Sequence, residues 1–524
     1  MNDSRMPSSA APHTPPIDAA SHLAEPNIGF LTCLVDALGS DIVTTDPALL
    51  EPWQSDWRGL YRGTAQALVR PRTTAEVSTC LRLCNAAQVP VVPRGGNTGL
   101  CGGATPESAA KAGAGGRQLS VILSLDRMNA VRGVDTIANV ITAEAGCILA
   151  DLQRVASEAE RLLPLSLAAE GSCQLGGNLS TNAGGVNVVR YGMTRELVLG
   201  VEAVLPNGEI FEGLRTLRKD NTGYDLKQLL IGAEGTLGII TAASLRLYPR
   251  NGVRTVVLAA VEAPQQALDL YSLVFKRCGQ RVQAFEYFTH ACLELVLREV
   301  DGLRAPFSEA HDGYVLLELA DTADEGALIA LVEDVVGQAL EDGLCRDAAM
   351  STTLAQLAAF WRLREEISEA QKRDGPHLKH DVSVPIEALP AFLDAVGARL
   401  SHTVPDLRLF VFGHFGDGNL HYNVSRPAGA PSDFFTQAAP ADSPADAATG
   451  STNSTRPDSK GDLVTDAVLD EVARFNGSIS AEHGIGQLKR SHFLRHKSAL
   501  EQRLMRDIKT LFDPNGIMNP GKLL

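Results

Sequence analysis

In GHFGDGNLHYN, residues 413–423, His414 and His421 flank a glycine-rich turn that follows the apolar run RLFVF. Strand alternation through NLHYNV puts His421 and Asn423 on one face, with Leu420, Tyr422 and Val424 on the other. The turn GDG folds this strand back on RLFVFGH and can bring the two imidazoles together as a two-ligand metal platform. Two satisfied polar histidines in a hairpin are the other reading of these residues alone. Further on, SAEHGIGQ at 480–487 sets Glu482 beside His483 in a glycine-bounded turn. Two histidines and a carboxylate leave coordination positions open, as a catalytic rather than a structural metal requires. On the residues alone, His483 serves equally as a ligand or as a general base titrating near neutrality.

A second chemistry is written in glycine. VPVVPRGGNTGLCGG at 89–103 runs from a strand into a loop carrying Gly95, Gly96, Gly99, Gly102 and Gly103. It matches neither GxGxxG nor GxxxxGK[ST], and no helix follows, so neither the Rossmann nor the Walker mechanism applies. Side-chain-free positions let successive backbone N–H groups converge on an anion, and Asn97 and Thr98 add donors. A tight surface loop is the alternative for this segment taken by itself. EGSCQLGGNLSTNAGG at 170–185 and LLIGAEGTLGIIT at 229–241 repeat the composition. Three such loops in one region suit a long ligand gripped at several points, with a pyrophosphate at one of them. A dinucleotide meets that description.

PRGGNTG, GSCQLGGNLSTNAGG, RKDNTGYDLKQLLIGAEGTLGIIT and the terminal NPGK, in this order, resemble the FAD-binding domain of the vanillyl-alcohol-oxidase (PCMH-type) flavoproteins. Within that superfamily the chain is most similar to the D-2-hydroxyacid dehydrogenase branch, over residues 53–524 apart from two insertions. The resemblance implies oxidation of D-2-hydroxyglutarate to 2-oxoglutarate, with hydride passing to flavin N5. It implies non-covalent FAD, because the first loop lacks the histidine to which some relatives attach it. The implied FAD contacts are Arg94, Gly95, Gly96, Asn97, Thr98, Gly99, Ser172, Gly176, Gly177, Asn178, Asn182, Glu234, Gly235, Gly238, Ile240 and Asn519. The same resemblance assigns His414, His421 and Glu482 to a divalent metal, with zinc expected, and His483 to the general base. It makes Asn423 a substrate contact, and maps Arg364, Ser368 and Lys379 onto the residues that hold the distal carboxylate. Taken singly these charges read as solvated. Four apart, Arg364 and Ser368 would share a helix face, and Lys379 would lie opposite Leu378, Val382 and Val384 in its strand. The family carries threonine where this chain has Ser368. A metal chelated by the substrate's hydroxyl and C1 carboxylate would acidify the proton that the base removes. Rival readings are a D-lactate or glycolate dehydrogenase of the same family, a metal-dependent hydrolase with merely structural glycine loops, and a non-catalytic flavin-binding protein.

The elements that must position these residues are legible at coarse grain. Residues 26–250 alternate short strands, helices and glycine loops, giving an α+β, PCMH-type FAD-binding domain. Residues 251–505 alternate strands such as VRTVVLAAVE and DGYVLLELA with helices such as ALDLYSLVFKRCG and TLAQLAAFWRLREEISEAQKR, an α/β substrate-binding cap. The tail at 506–524 returns to the FAD domain. A leader at 1–25, an Ala/Gly insertion at 106–117 and a low-complexity, mobile surface insertion at 427–461 stand outside this scheme. A net charge of -15 argues against nucleic-acid or anionic-membrane partners. Nine cysteines without CxxC pairs point to free thiols in a reducing, cytoplasmic setting. No run reaches the ~18 apolar residues of a membrane span. Electrons would then leave to a soluble partner such as an electron-transfer flavoprotein.

Overall fold

The computed structural model of the chain describes residues 24–322, 324–439 and 458–524. Most of the expected leader and the centre of the low-complexity insertion lie outside the described residues.

The first half is built on two sheets. Apolar strands Ala65–Val69, Ser120–Ser124 and Val91–Arg94 pair in parallel, and Val43–Thr44 adds an antiparallel edge. The helix Thr74–Ala86 packs its Val77, Cys80, Leu81 and Cys84 stripe on this sheet and begins at a Thr73/Glu76 capping box. Both thiols are buried and free. The second sheet is antiparallel, in the order Val131–Asp135, Val140–Glu144, Ile239–Arg246, Val198–Val204 and Ile210–Gly213. The last two strands form a hairpin around Asn207 and Gly208, with Gly208 at a φ of 90°.

One local expectation needs correction. The second glycine segment is not all loop, because Leu175 and Leu179 are buried in the core and wind residues Leu175–Thr181 into a helix. The insertion at 106–117 folds a short helix, Ala109–Ala114, capped by Ser108. The helix Leu149–Glu158 ends where Glu160 takes a φ of 55°, and Arg161–Leu162 pairs with Tyr248–Pro249.

The second half holds a sheet in the order Asp347–Met350, Val253–Val261, Gly313–Asp321, Val282–Thr289, Arg408–Gly413, Asn419–Ser425 and His377–Leu378, with Asp381–Ser383 also paired to Asn419–Ser425. Helices alternate with strands as the sequence suggests, yet every pairing is antiparallel. One face buries Phe285, Tyr287, Leu420 and Tyr422 under helices that include Pro264–Cys278, Leu389–Thr403 and Lys460–Arg474. The other packs Phe288, Phe410 and Phe412 against His290–Glu299, Leu354–Glu365 and Ile367–Asp374.

These last two helices replace the single helix expected over 353–373 and meet at Glu366, whose ψ of -8° bends the axis. Leu363, Arg364, Ile367, Ala370 and Gln371 form the buried stripe. Ser368 falls beyond its edge and is exposed, so Arg364 and Ser368 do not share a face. The described flanks of the 427–461 insertion are held, not loose: Phe434 and Phe435 are buried and Ala438 bridges Ser459.

After the helix Ala499–Phe512 the tail docks on the first sheet. Met518 bridges Val91, and Asn519 N donates to Val91 O at 2.8 Å. Asp513, 2% exposed, fixes this turn by accepting from Ile517 N at 3.0 Å and Met518 N at 2.8 Å. Asp513→Ala is expected to lower unfolding stability by about 2–3 kcal/mol in a denaturant titration, the range for lost hydrogen bonds to a buried charge.

Candidate active site

A cleft opens between the two sheets of the first half, at the ends of the strands Val91–Arg94 and Ile239–Arg246. It is lined by Arg94 to Gly99, Gly176 to Asn178, Ser180, Thr181, Glu234, Gly235, Gly238, Ile240 and Asn519. Fourteen of the sixteen residues expected at a cofactor are therefore brought together; Ser172 and Asn182 are not. Ser172 lies beneath the first loop, where a Cβ on Gly96 would stand 2.1 Å from its carbonyl oxygen. Asn182 ends the helix Leu175–Thr181 in a left-handed conformation and accepts from Arg195 N at 2.9 Å. Arg94 turns its guanidinium onto Trp53 O and stacks 5.4 Å from the Trp53 ring, so it braces the loop.

The cleft fits a ligand with hydrogen-bond donors along its length. Asn519 Nδ2 donates to Gly103 O and Glu234 O at 3.0 and 2.8 Å, which fixes the amide and leaves its buried Oδ1 without a partner. Gln174 Oε1, also on the wall, is likewise buried and unpartnered. Cβ atoms on Gly99 and Gly177 would meet no protein atom within 4 Å. These positions face room that a ligand can fill.

His483 also lines this cleft and joins it to a polar cluster on the sheet of the second half. Phe412 is registered against His421 across the hairpin. Donor atoms of His414, His421 and Glu482 lie within 4.8 Å of one another, as do those of Asp381, His421 and His483. His414 Nε2 is 3.6 Å and His421 Nε2 3.9 Å from the two oxygens of Glu482. Ligands bound at ~2.1 Å in a tetrahedral arrangement stand roughly 3.4 Å apart, so one divalent cation fits this donor set. The opposite nitrogen of His414 is held by Glu286 Oε1 at 2.6 Å, an outer support that aims Nε2 inward.

The charges follow from burial. His414 is penalised by desolvation, but Glu286 and Glu482 outweigh it and raise its pKa to about 9. Burial raises Glu482 above the ordinary carboxylate range. Burial also pushes His483 down to about 4 against the pull of Asp381. Asp381 is fully buried, yet His483, Lys489 and His421 overcome desolvation and hold it well below its usual value. Its Oδ2 accepts from the backbone N–H groups of Glu482 and His483, each at 2.9 Å.

Arg364 does reach this cluster, but its guanidinium pairs with Glu286 at 2.8 Å and stacks on Phe412. Ser368 bonds to none of these groups. Asn423 sits on the His421 face, donating to Gln371 at 2.6 Å. Glu286, Asp381, Gln371 and Lys489 were not singled out in the sequence. Glu286 had a signal, as the one charged residue of VQAFEYFT. Asp381 had one too, on the same strand face as Lys379.

The family model for the C-terminal domain of FAD linked oxidases matches residues 250–523, and that for an FAD binding domain matches residues 65–213. The chain belongs to the FAD-linked oxidases. It is 40% identical over 503 residues to a D-2-hydroxyglutarate dehydrogenase of Xanthomonas citri pv. viticola, covering 96% of this chain and 97% of that protein. A mitochondrial D-2-hydroxyglutarate dehydrogenase of Arabidopsis thaliana is 36% identical over 489 residues, 93% of this chain and 80% of that protein. p-Cresol methylhydroxylase with substrate bound superposes with a TM-score of 0.68 at 14% identity, over 94% of this chain and 96% of that one. Alkyldihydroxyacetonephosphate synthase gives 0.67 at 15% identity, over 96% and 88%. These two likenesses establish the fold. As a member of the FAD-linked oxidases the chain is an FAD-dependent oxidoreductase, so the glycine segments are more than structural loops.

Two glycine substitutions separate scaffold from cradle. Gly96→Ala should destabilise flavin-stripped protein by about 1–3 kcal/mol, because its Cβ meets backbone. Gly99→Ala should leave stripped protein within about 0.5 kcal/mol, and weaken only flavin retention, read as the flavin-to-protein absorbance ratio after gel filtration.

Proposed function

We propose that this chain is an FAD- and divalent-metal-dependent dehydrogenase that oxidises D-2-hydroxyglutarate to 2-oxoglutarate. The observation that carries the reading is the place of His483, which lines the cofactor cleft and stands beside the His414, His421 and Glu482 donor set. The names of the Xanthomonas and Arabidopsis relatives support the substrate.

When bound, FAD supplies a hydride acceptor at N5, and a divalent metal such as zinc supplies a Lewis acid for the substrate hydroxyl. His414, His421 and Glu482 would hold the metal. His483 takes the hydroxyl proton; burial keeps its ring neutral at physiological pH, and the Asp381 carboxylate, 3.6 Å from Nδ1, orients the ring and stabilises the imidazolium that forms. Lys379, half-buried between the strands His377–Leu378 and Asp381–Ser383, holds the distal carboxylate, and Asn423 meets the substrate beside His421. FAD is held without a covalent bond by the cleft residues named above. Electrons pass on to a soluble acceptor such as an electron-transfer flavoprotein, in a cytoplasmic setting that suits nine free thiols. Among the described residues no helix is long and apolar enough to cross a membrane.

His483→Ala is expected to retain FAD and metal and to slow flavin reduction by ~100-fold or more, the usual cost of a lost general base. Loss of metal in that variant, measured by elemental analysis, would make His483 a ligand instead.

His414 gives a second test. In metal-free protein its folded pKa of about 9 exceeds the unfolded value of ~6.5. It therefore adds stability that is complete below about pH 6.5 and disappears as the pH rises through about 9. Ligation needs the neutral ring, so metal binding should release a proton and tighten with pH across that window. Calorimetry in two buffers of different ionisation enthalpy measures the release; a value of zero at pH 7 would contradict the assignment.

A further inference from the structure

Arg364, expected to meet a distal carboxylate, is already paired with the buried Glu286. Ser368 is exposed. Lys379 is left, and the structure provides it with a companion from the other half of the chain. Residues 55–62 form a tight turn closed by a bridge between Ser55 and Arg62. The Asp56 carboxylate is spent on this turn, accepting from Arg58 N at 3.2 Å and Tyr61 N at 2.6 Å. Trp57 reaches the second half, with the Lys372 ammonium 5.7 Å from its ring. Arg58, half-buried, leans the other way and donates from Nη1 to Leu100 O at 3.4 Å in the first glycine loop.

The turn thus touches both halves of the chain, Lys372 through Trp57 and the first glycine loop through the Arg58 guanidinium. Neither Arg58 nor Lys379 has a carboxylate within 4.0 Å among the described residues, whereas Arg364, Lys489 and Arg408 all do. Lys379 is pushed below the ordinary lysine range, by burial first and by the Arg58 guanidinium next. Two half-buried cations that repel one another, each without a carboxylate in ion-pair range among the described residues, cost stability unless an anion joins them. We infer that Arg58 is a specificity-determining residue that, with Lys379, clamps the distal carboxylate of the substrate between the two halves of the chain. Guanidinium and ammonium together suit a carboxylate better than either alone.

The inference rests on the dehydrogenase reading, and its test separates the two. In FAD- and metal-replete protein, wild type, Arg58→Ala, Arg58→Met and Arg58→Lys are titrated with 2-oxoglutarate and with pyruvate by calorimetry. Turnover is measured on D-2-hydroxyglutarate and D-lactate. Loss of the guanidinium should weaken 2-oxoglutarate by about 10- to 100-fold, the range for one charge-assisted contact. The ratio of kcat/KM for D-2-hydroxyglutarate over D-lactate should fall by the same factor, mainly through KM, with Arg58→Lys recovering part. Arg58→Met keeps the aliphatic stem and guards against a packing effect. Equal losses on both acids, or unchanged 2-oxoglutarate binding, would overturn the clamp. If wild type binds 2-oxoglutarate but D-2-hydroxyglutarate does not reduce the flavin, the reaction reading fails, and the clamp is decided on binding alone. Wild type that binds neither diacid overturns both.

Discussion

A fully buried aspartate organises the site. Removing the Asp381 carboxylate from water is costly unless donors replace the lost hydration, and the chain brings those donors from separate segments. Two come from the backbone of Glu482 and His483, and a third from Asn419 Nδ2 on the neighbouring strand at 3.0 Å. Lys489 adds its charge at 3.7 Å while donating to Ile479 O at 2.9 Å. Meeting this one requirement fixes the turn that carries Glu482 and His483 against the hairpin that carries His414 and His421. The donor set follows from satisfying a buried charge.

The same turn is tied on its other side to the cofactor cleft. Glu234 Oε1 and Oε2 accept from Ile485 N and Gly486 N, both at 2.7 Å. Cys101 O accepts from Gln487 N at 2.8 Å, and a Cβ on Gly486 would lie 2.2 Å from that oxygen. Residues 482–488 therefore belong to both halves at once. A base that must face a substrate hydroxyl while the substrate carbon faces the cofactor needs this double anchoring, since misplacement by about 1 Å is enough to lose much of the rate.

The sequence was most informative where periodicity or glycine chemistry acted alone. The 408–425 hairpin and its two-faced alternation could be read from types and spacing, whereas the residues lining the cleft were named through the family resemblance. Ser368 could not, because helix periodicity alone does not locate the centre of the buried stripe, and Ile367 rather than Arg364 sets it. Ser172 and Asn182 fell in a glycine-rich run whose two leucines made a helix, so that part of the run faces the protein instead of the cleft. Glu286 showed only as a lone charge in an apolar strand, and Lys489, two residues beyond SAEHGIGQ, became part of the site through charge balance with Asp381, which no local pattern displays. Arg58 was hidden for the same reason: its turn matters only because the two halves of the chain meet there.

The central claim is that the cleft and the histidine cluster are one catalytic site for a 2-hydroxy diacid. An anaerobic titration of the metal-replete holoprotein with D-2-hydroxyglutarate tests it most directly. The account predicts that the oxidised flavin absorbance is bleached as D-2-hydroxyglutarate is added and that 2-oxoglutarate appears in equal amount. Flavin that stays oxidised at excess D-2-hydroxyglutarate, in protein shown to contain both FAD and metal, would contradict it.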